Sequence, residues 1–131
     1  MATAVEIKNL PEFNLALEKF AKSIPAELIP TLQRKIGLEA LRRIVLKTPV
    51  DTGRARGNWQ TTINRSVESE HWQTDPIEAG TATLAGEIPP YAVVYLTNNV
   101  IYILPLEHGH SKQAPYGMVG LTLEELRLMF P

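Results

Sequence analysis

The chain carries three histidines, His71, His108 and His110, and Glu107 stands directly before the last two. A His-x-His pair on a strand turns both rings to one face, and with a carboxylate beside them this is the raw material of a metal site. No third ligand follows at a recognisable spacing, and His110 falls in a Gly-, Ser-, Lys- and Gln-containing stretch that reads as a loop. Solvent-facing polar residues are the simpler account. A second constellation is Arg54, Arg56, Trp59 and Arg65, in which basic groups interleave with an indole that could stack a base. The alternative is a Trp59 buried on an amphipathic strand, with the arginines on neighbouring carboxylates. A formal net charge of −1 favours that alternative.

Nucleophilic chemistry has less to build on. The chain has no G-x-S-x-G elbow, no Gly-rich phosphate loop and no supported Ser-His-Asp order. With no cysteine, thiol nucleophiles, thiolate zinc sites and disulfides are excluded. Asp51-Thr52-Gly53 reads as a turn, with Asp51 closing an Asx-turn and Gly53 taking a positive φ. No catalytic residue, metal ligand or cofactor is assigned, and the chain is expected not to be an enzyme.

The elements that would position these residues follow from the hydrophobic spacing. Phe13, Leu17, Phe20 and Ile24 recur at helical intervals from Pro11, and Pro25 ends the run. A second helix is predicted over 26–47, with Leu28, Leu32, Leu38, Leu41 and Val45 on one face and Thr48-Pro49 as its stop. Alternation from Trp59 to Val67 predicts a long strand over 58–68, with 71–74 as its hairpin return. Asp75-Pro76-Ile77-Glu78 is a helix-start signature, and a short helix over 76–85 follows, weakened by Gly80. Residues 91–97 read as a buried strand, Asn98-Asn99 as a turn, and 100–106 as a strand or a helical turn cut by Pro105. Thr122 with Glu125 reads as a capping box opening a last helix through Met129.

These elements fit an α+β fold: N-terminal helices packed on a mainly antiparallel sheet, with a C-terminal helix. The 131 residues, 44% apolar and 21% charged, suit one domain over 1–131, with 1–10 as an extended arm. No secretory signal is read at the N-terminus, and the apolar runs are too short to span a bilayer as helices.

The segment Thr48–Trp59, TPVDTGRARGNW, resembles the helix-exit motif of a neck-protein family of long-tailed bacteriophages. There a long helix ends in P-V-D-T-G-R and an N-W or S-W opens a strand. The second half is similar to the same family: YLTNNVIYILPLEHGHSKQAPYGMVGLT, Tyr95–Thr122, matches the pattern of a strand, T-N-N, L-E-x-G and S-x-Q-A-P-x-G-M-V. Pro105 and His110 depart from that pattern. The resemblance implies a structural virion protein that joins head to tail or completes the tail, closing into a homo-oligomeric ring around the DNA channel. It implies six- or twelve-fold self-association, contact with neighbouring head-completion and tail proteins, passage of genome DNA without sequence-specific binding, and no membrane. The expected location is the virion neck or tail, after assembly in the bacterial host cytoplasm. Asp51, Arg54, Arg56, Glu107, His108, His110, Lys112 and Tyr116 are the expected interface residues. The rival readings are a small metal-dependent hydrolase or nuclease, and a nucleic-acid-binding module.

Overall fold

A computed structural model describes residues 9–109 and 111–129. Helix α1, Leu10–Lys22, places Pro11 in its first turn and ends at Ser23, whose hydroxyl donates to the Phe20 carbonyl. Pro needs no hydrogen-bond partner there, because the first amides of a helix have none. A 3-10 turn, Ala26–Leu28, leads into α2, Ile29–Lys47, with Pro30 again in the first turn. Both helices lie where their apolar spacing puts them. The extended arm expected over 1–10 already meets α1 at its end, and residues 1–8 lie outside the described residues.

Helix α2 is the centre of the molecule because it is apolar on several sides. Leu32 and Ile36 pack with Phe13 of α1 and with Leu123 and Leu126 of α6, Val119–Met129. Leu41, Ile44 and Val45 form a second cluster with Trp59, Ala114 and Met118. Leu38 packs on a third, formed by Leu84, Ile88 and Ala92. The α+β class holds, with helices at both ends of the chain and an antiparallel sheet between them.

The sheet is smaller than the alternation implies. Strand β1 is Gln60–Ile63, and its partner is β2, Val94–Thr97, in antiparallel register from Gln60↔Thr97 to Ile63↔Val94. Neither the strand expected over 58–68 nor the hairpin return over 71–74 forms as such. Trp59 precedes β1, and a one-turn helix α3, Arg54–Gly57, occupies the chain before it. Asn64 ends β1 by adopting φ 63, a left-handed conformation that asparagine tolerates. Its side chain accepts from Val93 N at 2.9 Å. Beyond it, side-chain amides hold the return segment in place of a ladder: Gln60 on the Ser69 carbonyl, Asn99 on those of Val67 and Ser69, and Gln73 on that of Trp59. Likewise β2 is shorter than 91–97, since Tyr91 stands at φ 62 and is 70% exposed.

Helix α4, Pro76–Ala85, follows its signature, with Asp75 accepting from Glu78 N at 3.0 Å. Gly80 lies where this helix packs against α2 and β1. A Cβ there would overlap Leu41 Cδ2 and Thr61 Oγ1, so only glycine lets α4 approach α2 and β1 this closely. Asn98-Asn99 turns the chain through a side chain and not a backbone bond: Asn98 Oδ1 accepts from Val100 N at 3.1 Å, an Asx-turn, while its amide reaches back to the Ala55 carbonyl at 2.8 Å. Of the two forms open for 100–106 the helical one is found. Helix α5, Ile103–Glu107, carries Pro105 as its third residue, where an amide would have no intrahelical acceptor.

The start of α6 is also corrected. The helix begins at Val119, three residues before Thr122, whose buried hydroxyl donates to the Met118 carbonyl. Thr122 and Glu125 therefore form no capping box. The cap comes from Glu107, whose carboxylate accepts from Met118 N, Val119 N and Gly120 N at 3.0, 2.8 and 3.0 Å. A carboxylate suits this position because the free amides and the helix dipole both favour negative charge.

Candidate functional site

The end of α2 is built to turn sharply and stay turned. Thr48 donates its hydroxyl to the Ile44 carbonyl at 2.7 Å and receives Trp59 Nε1 at 2.8 Å. Arg56 comes back from α3 and lays its guanidinium across the helix end, donating to the Thr48 carbonyl at 3.0 and 3.1 Å and to the Leu46 carbonyl at 3.1 Å. A cation here satisfies terminal carbonyls and complements the negative end of the dipole. Gly53, at φ 89, reverses the chain. Thr52 supplies the turn's side-chain acceptor, its Oγ1 taking Arg54 N at 3.3 Å in the role expected for Asp51.

The α5–α6 loop lies against this turn. Gln113 pairs its side-chain amide with the backbone of Val50 as a strand neighbour would, accepting from Val50 N at 2.9 Å and donating to Val50 O at 3.1 Å. The pair joins positions 63 residues apart. On one side of it lies an open cleft of about 570 Å³, lined by Asp51, Arg54, Trp72, Tyr102, Ser111 and Gln113 among others. On the other lies a smaller one of about 320 Å³, lined by Leu46, Arg56, Gln113, Tyr116 and Leu121 among others.

Arg54 forks onto Glu70, with Nε to Oε1 at 2.9 Å and Nη2 to Oε2 at 2.6 Å, and lies 5.5 Å from the centroid of the Tyr102 ring. The hydrogen bond to Glu70 raises the guanidinium above its ordinary pKa, and the same bond holds the Glu70 carboxyl below its own. Glu125 on α6 is also held low, first by its hydrogen bond to Lys47 and further by Arg43. Carboxylates depressed by basic partners are weak proton acceptors, so these pairs tie elements together and are poorly suited to general-base work.

Of the eight residues singled out in the sequence, Asp51 and Arg54 line the larger cleft, and Arg56 and Tyr116 the smaller. His108 and Lys112 are exposed on the same loop region. Glu107 turns inward to cap α6, so its carboxylate is committed to folding instead of to a partner. Arg56 is likewise committed, through the α2 carbonyls. His110 lies outside the described residues. Sequence reasoning missed Gln113, which looked like an ordinary loop residue, together with Glu70 and the exposed Trp72. Tyr102 is the ring under Arg54.

Trp59 is 5% exposed and cannot stack a base, which removes the aromatic platform of the nucleic-acid reading. Among the described residues no group of three or more His, Cys, Asp or Glu side chains could hold a metal ion. No described helix is long and apolar enough to cross a membrane. No family model, curated protein or solved structure matches the chain.

The arrangement presents a shaped surface. Leu46, Val50, Tyr116 and Leu121 stand 60, 42, 78 and 40% exposed at or beside the smaller cleft, on backbone held by Gln113 and Arg56. Rigid, partly apolar surface with polar ties beneath it is the chemistry of protein–protein contact.

Proposed function

We propose that this chain is a non-catalytic assembly protein: a structural component of a tailed-phage neck that joins head to tail or completes the tail by closing into a ring around the DNA channel. The observation that carries the reading is the junction itself. The two segments that resemble the neck family, Thr48–Trp59 and Tyr95–Thr122, meet there through the Gln113–Val50 pair and flank both clefts. Segments so far apart in sequence serve one surface, and that surface exposes apolar side chains on fixed backbone. The work is done by binding energy and geometry, without turnover, and the ring partner is a second copy meeting the junction with a different face.

The test is complementation of a phage lacking this gene, with particles counted by electron microscopy. Wild-type protein restores joined virions. Gln113→Ala, which removes both ties to Val50, is expected to yield separate heads and tails while the purified variant keeps its circular-dichroism spectrum. Failure of the wild-type gene to restore joining in any such phage, with metal-dependent hydrolysis by the purified protein instead, would replace this reading with the enzymatic one.

A further inference from the structure

Helix α2 is occupied on three of its sides. Gly37 and Leu41 face α4, Arg43 and Lys47 reach α6, and Ile36 walls an apolar groove of about 360 Å³ shared with α1 and β2. The fourth side is open. Thr31, Lys35, Arg42 and Leu46 are exposed along it at intervals of four, seven and four residues, which is a single stripe of a helix. Lys35 and Arg42 stand two turns apart, about 10 Å along the axis. Among the described residues neither side chain has an ion pair or a hydrogen-bond partner. Leu46, 60% exposed, carries the stripe to the smaller cleft of the junction, which it lines.

The opposite charge is concentrated elsewhere. Between Arg65 and Lys112 the chain has no lysine or arginine, and Glu68, Glu70, Asp75, Glu78, Glu87 and Glu107 all fall there. Glu70 is spent on Arg54 and Glu107 on the start of α6. Glu78 and Glu87 are exposed, and neither has an ion pair among the described residues. Glu78 lies in the first turn of α4, and Glu87 follows its end. Arg34 donates to the Leu84 and Gly86 carbonyls at 2.6 and 3.1 Å, so Glu87 leaves the helix on fixed backbone. Between the two carboxylates the exposed positions of α4 are Thr81, Ala82, Thr83 and Ala85, whose side chains are too short to hold a second helix away. From Glu78 to Ala85 is again two turns, about 10 Å.

We propose that the open stripe of α2 in one copy lies antiparallel along α4 of the next, with Arg42 on Glu78 and Lys35 on Glu87. Charge complementarity names the occupant: each surface leaves two like charges unpaired at a similar spacing, and the other supplies their counter-charges. The antiparallel sense also sets the two helix dipoles in opposite directions. The methylene stems of Lys35 and Arg42 cover Ala82 and Ala85 and give the contact its apolar part. The ion pairs fix its register and exclude the symmetric alternatives, because α2 on α2 would face cation with cation and α4 on α4 carboxylate with carboxylate. Two different faces of identical chains therefore meet, and such a contact repeats in one direction and can close a ring. The proposal rests on the self-assembly reading and adds to it the face that meets the junction side of α2.

The test is charge exchange in the full chain, read by sedimentation over a concentration series. Arg42→Glu and Glu78→Arg should each weaken self-association about tenfold or more, because each sets like charges opposite one another. Both should melt as the wild type does, since the side chains replaced are exposed and unpaired. Mixing the two variants should restore association, because in an alternating ring every contact again joins a cation to a carboxylate. In parallel, a carbodiimide, which joins a lysine amine to a carboxylate in contact with it, is applied to mixed isotopically light and heavy wild-type chains. A Lys35–Glu87 adduct between a light and a heavy chain is expected. It needs no substitution, so it decides even where a variant melts early. Oligomers that ignore both reversals, a mixture no stronger than either variant alone, or an adduct confined to single chains would overturn the docking and leave self-assembly standing. Monomers at every concentration would overturn the docking as well, and wild-type protein that also leaves heads and tails unjoined would overturn the reading beneath it.

Discussion

The junction at the end of α2 and the groove between α1, α2 and β2 are built in opposite ways. At the junction, irregular backbone is held by single polar atoms: Gln113 on Val50, Arg56 on the last α2 carbonyls, Glu107 on three amides and Asn98 on Ala55. In the groove, regular elements meet through Phe13, Leu17, Leu32 and Ile36, and one amide, Gln33, ties the wall to Ala92. Hydrogen bonds are directional, so the junction has one shape. Apolar contact is not, so the groove can adjust to what enters it.

The most severe way to break this contrast is from beneath. Trp59 packs with Leu41, Ile44, Val45, Ala114 and Met118, and donates to the Thr48 hydroxyl that marks the end of α2. Trp59→Ala leaves a void and removes the donor to the buried Thr48 hydroxyl, which keeps its bond to the Ile44 carbonyl. It is expected to cost about 3–5 kcal/mol, read as a lower urea midpoint at constant slope. Leu17→Ala, in the wall of the groove, is half-buried and should cost less. Equal losses from the two substitutions would erase the distinction between a tightly specified junction and an adaptable groove.

The next effect tests whether the junction's polar ties are structural. Glu107→Ala uncaps α6 and frees three amides, with an expected cost of about 2 kcal/mol. Glu107→Gln keeps an acceptor oxygen and should lose less. Amide hydrogen exchange at positions 118–120 is the specific readout, and it should quicken in the alanine variant more than elsewhere in α6. Unchanged exchange there would mean that Glu107 is not the cap.

This cap also shows where the sequence was legible and where it was not. Helices α1, α2 and α4 announce themselves because apolar spacing and prolines act locally, and Asp75 caps a helix only three residues away. Glu107 acts on amides 11 to 13 residues distant, across a loop, and nothing local marks it. The Trp59–Val67 alternation misled for a related reason. Period two reports extended backbone with alternating environments, and side-chain amides from Gln60, Gln73 and Asn99 supply those environments without a long strand. For the candidate site, the two motif segments were legible as motifs. Their meeting depends on Gln113 and Val50, a pairing that composition and spacing do not contain.

A smaller effect comes from the ion pairs that join α2 to α6 between the two regions. Lys47 and Arg43 of α2 both meet Glu125. Hydrogen bonding to Lys47, with Arg43 adding to it, holds the Glu125 carboxyl below its ordinary value. A carboxyl depressed in the folded state contributes stability above its unfolded pKa, and that contribution is lost as pH falls through the folded value. The melting temperature should therefore fall as the protein is acidified below the ordinary carboxylate range. Lys47→Met should flatten that dependence modestly, because the Glu125 side chain is 37% exposed and solvent screens the pair. An identical pH profile in the variant would remove Glu125 from the acid response.

The smallest effect on stability is expected from Arg54→Glu, and it bears most directly on function. Arg54 and Arg56 sit two residues apart with the same charge, but they belong to different parts of the contrast. Arg56 is spent on the carbonyls at the end of α2. Reversing it would remove those bonds and put a negative charge at the negative end of a helix, so an assembly defect in Arg56→Glu would be confounded by a weakened fold. Arg54 is spent at the surface, on the equally exposed Glu70 and across the Tyr102 ring at the edge of the larger cleft. Reversing it sets a carboxylate beside Glu70 in solvent, so the melt should barely move. Joining of heads to tails should nonetheless fail, because the charge and the planar fork presented by that cleft are inverted. The double reversal Arg54→Glu with Glu70→Arg separates two causes. It can restore the ion pair with its ends exchanged, and recovery of joined particles would mean that Arg54 acts by holding the 64–75 segment in place. Continued failure, with a normal melt, would mean that the guanidinium itself meets the neighbouring subunit or neck component. Wild-type yields from the single reversal would take the larger cleft out of the assembly surface and leave the Tyr116 side of the junction to carry it.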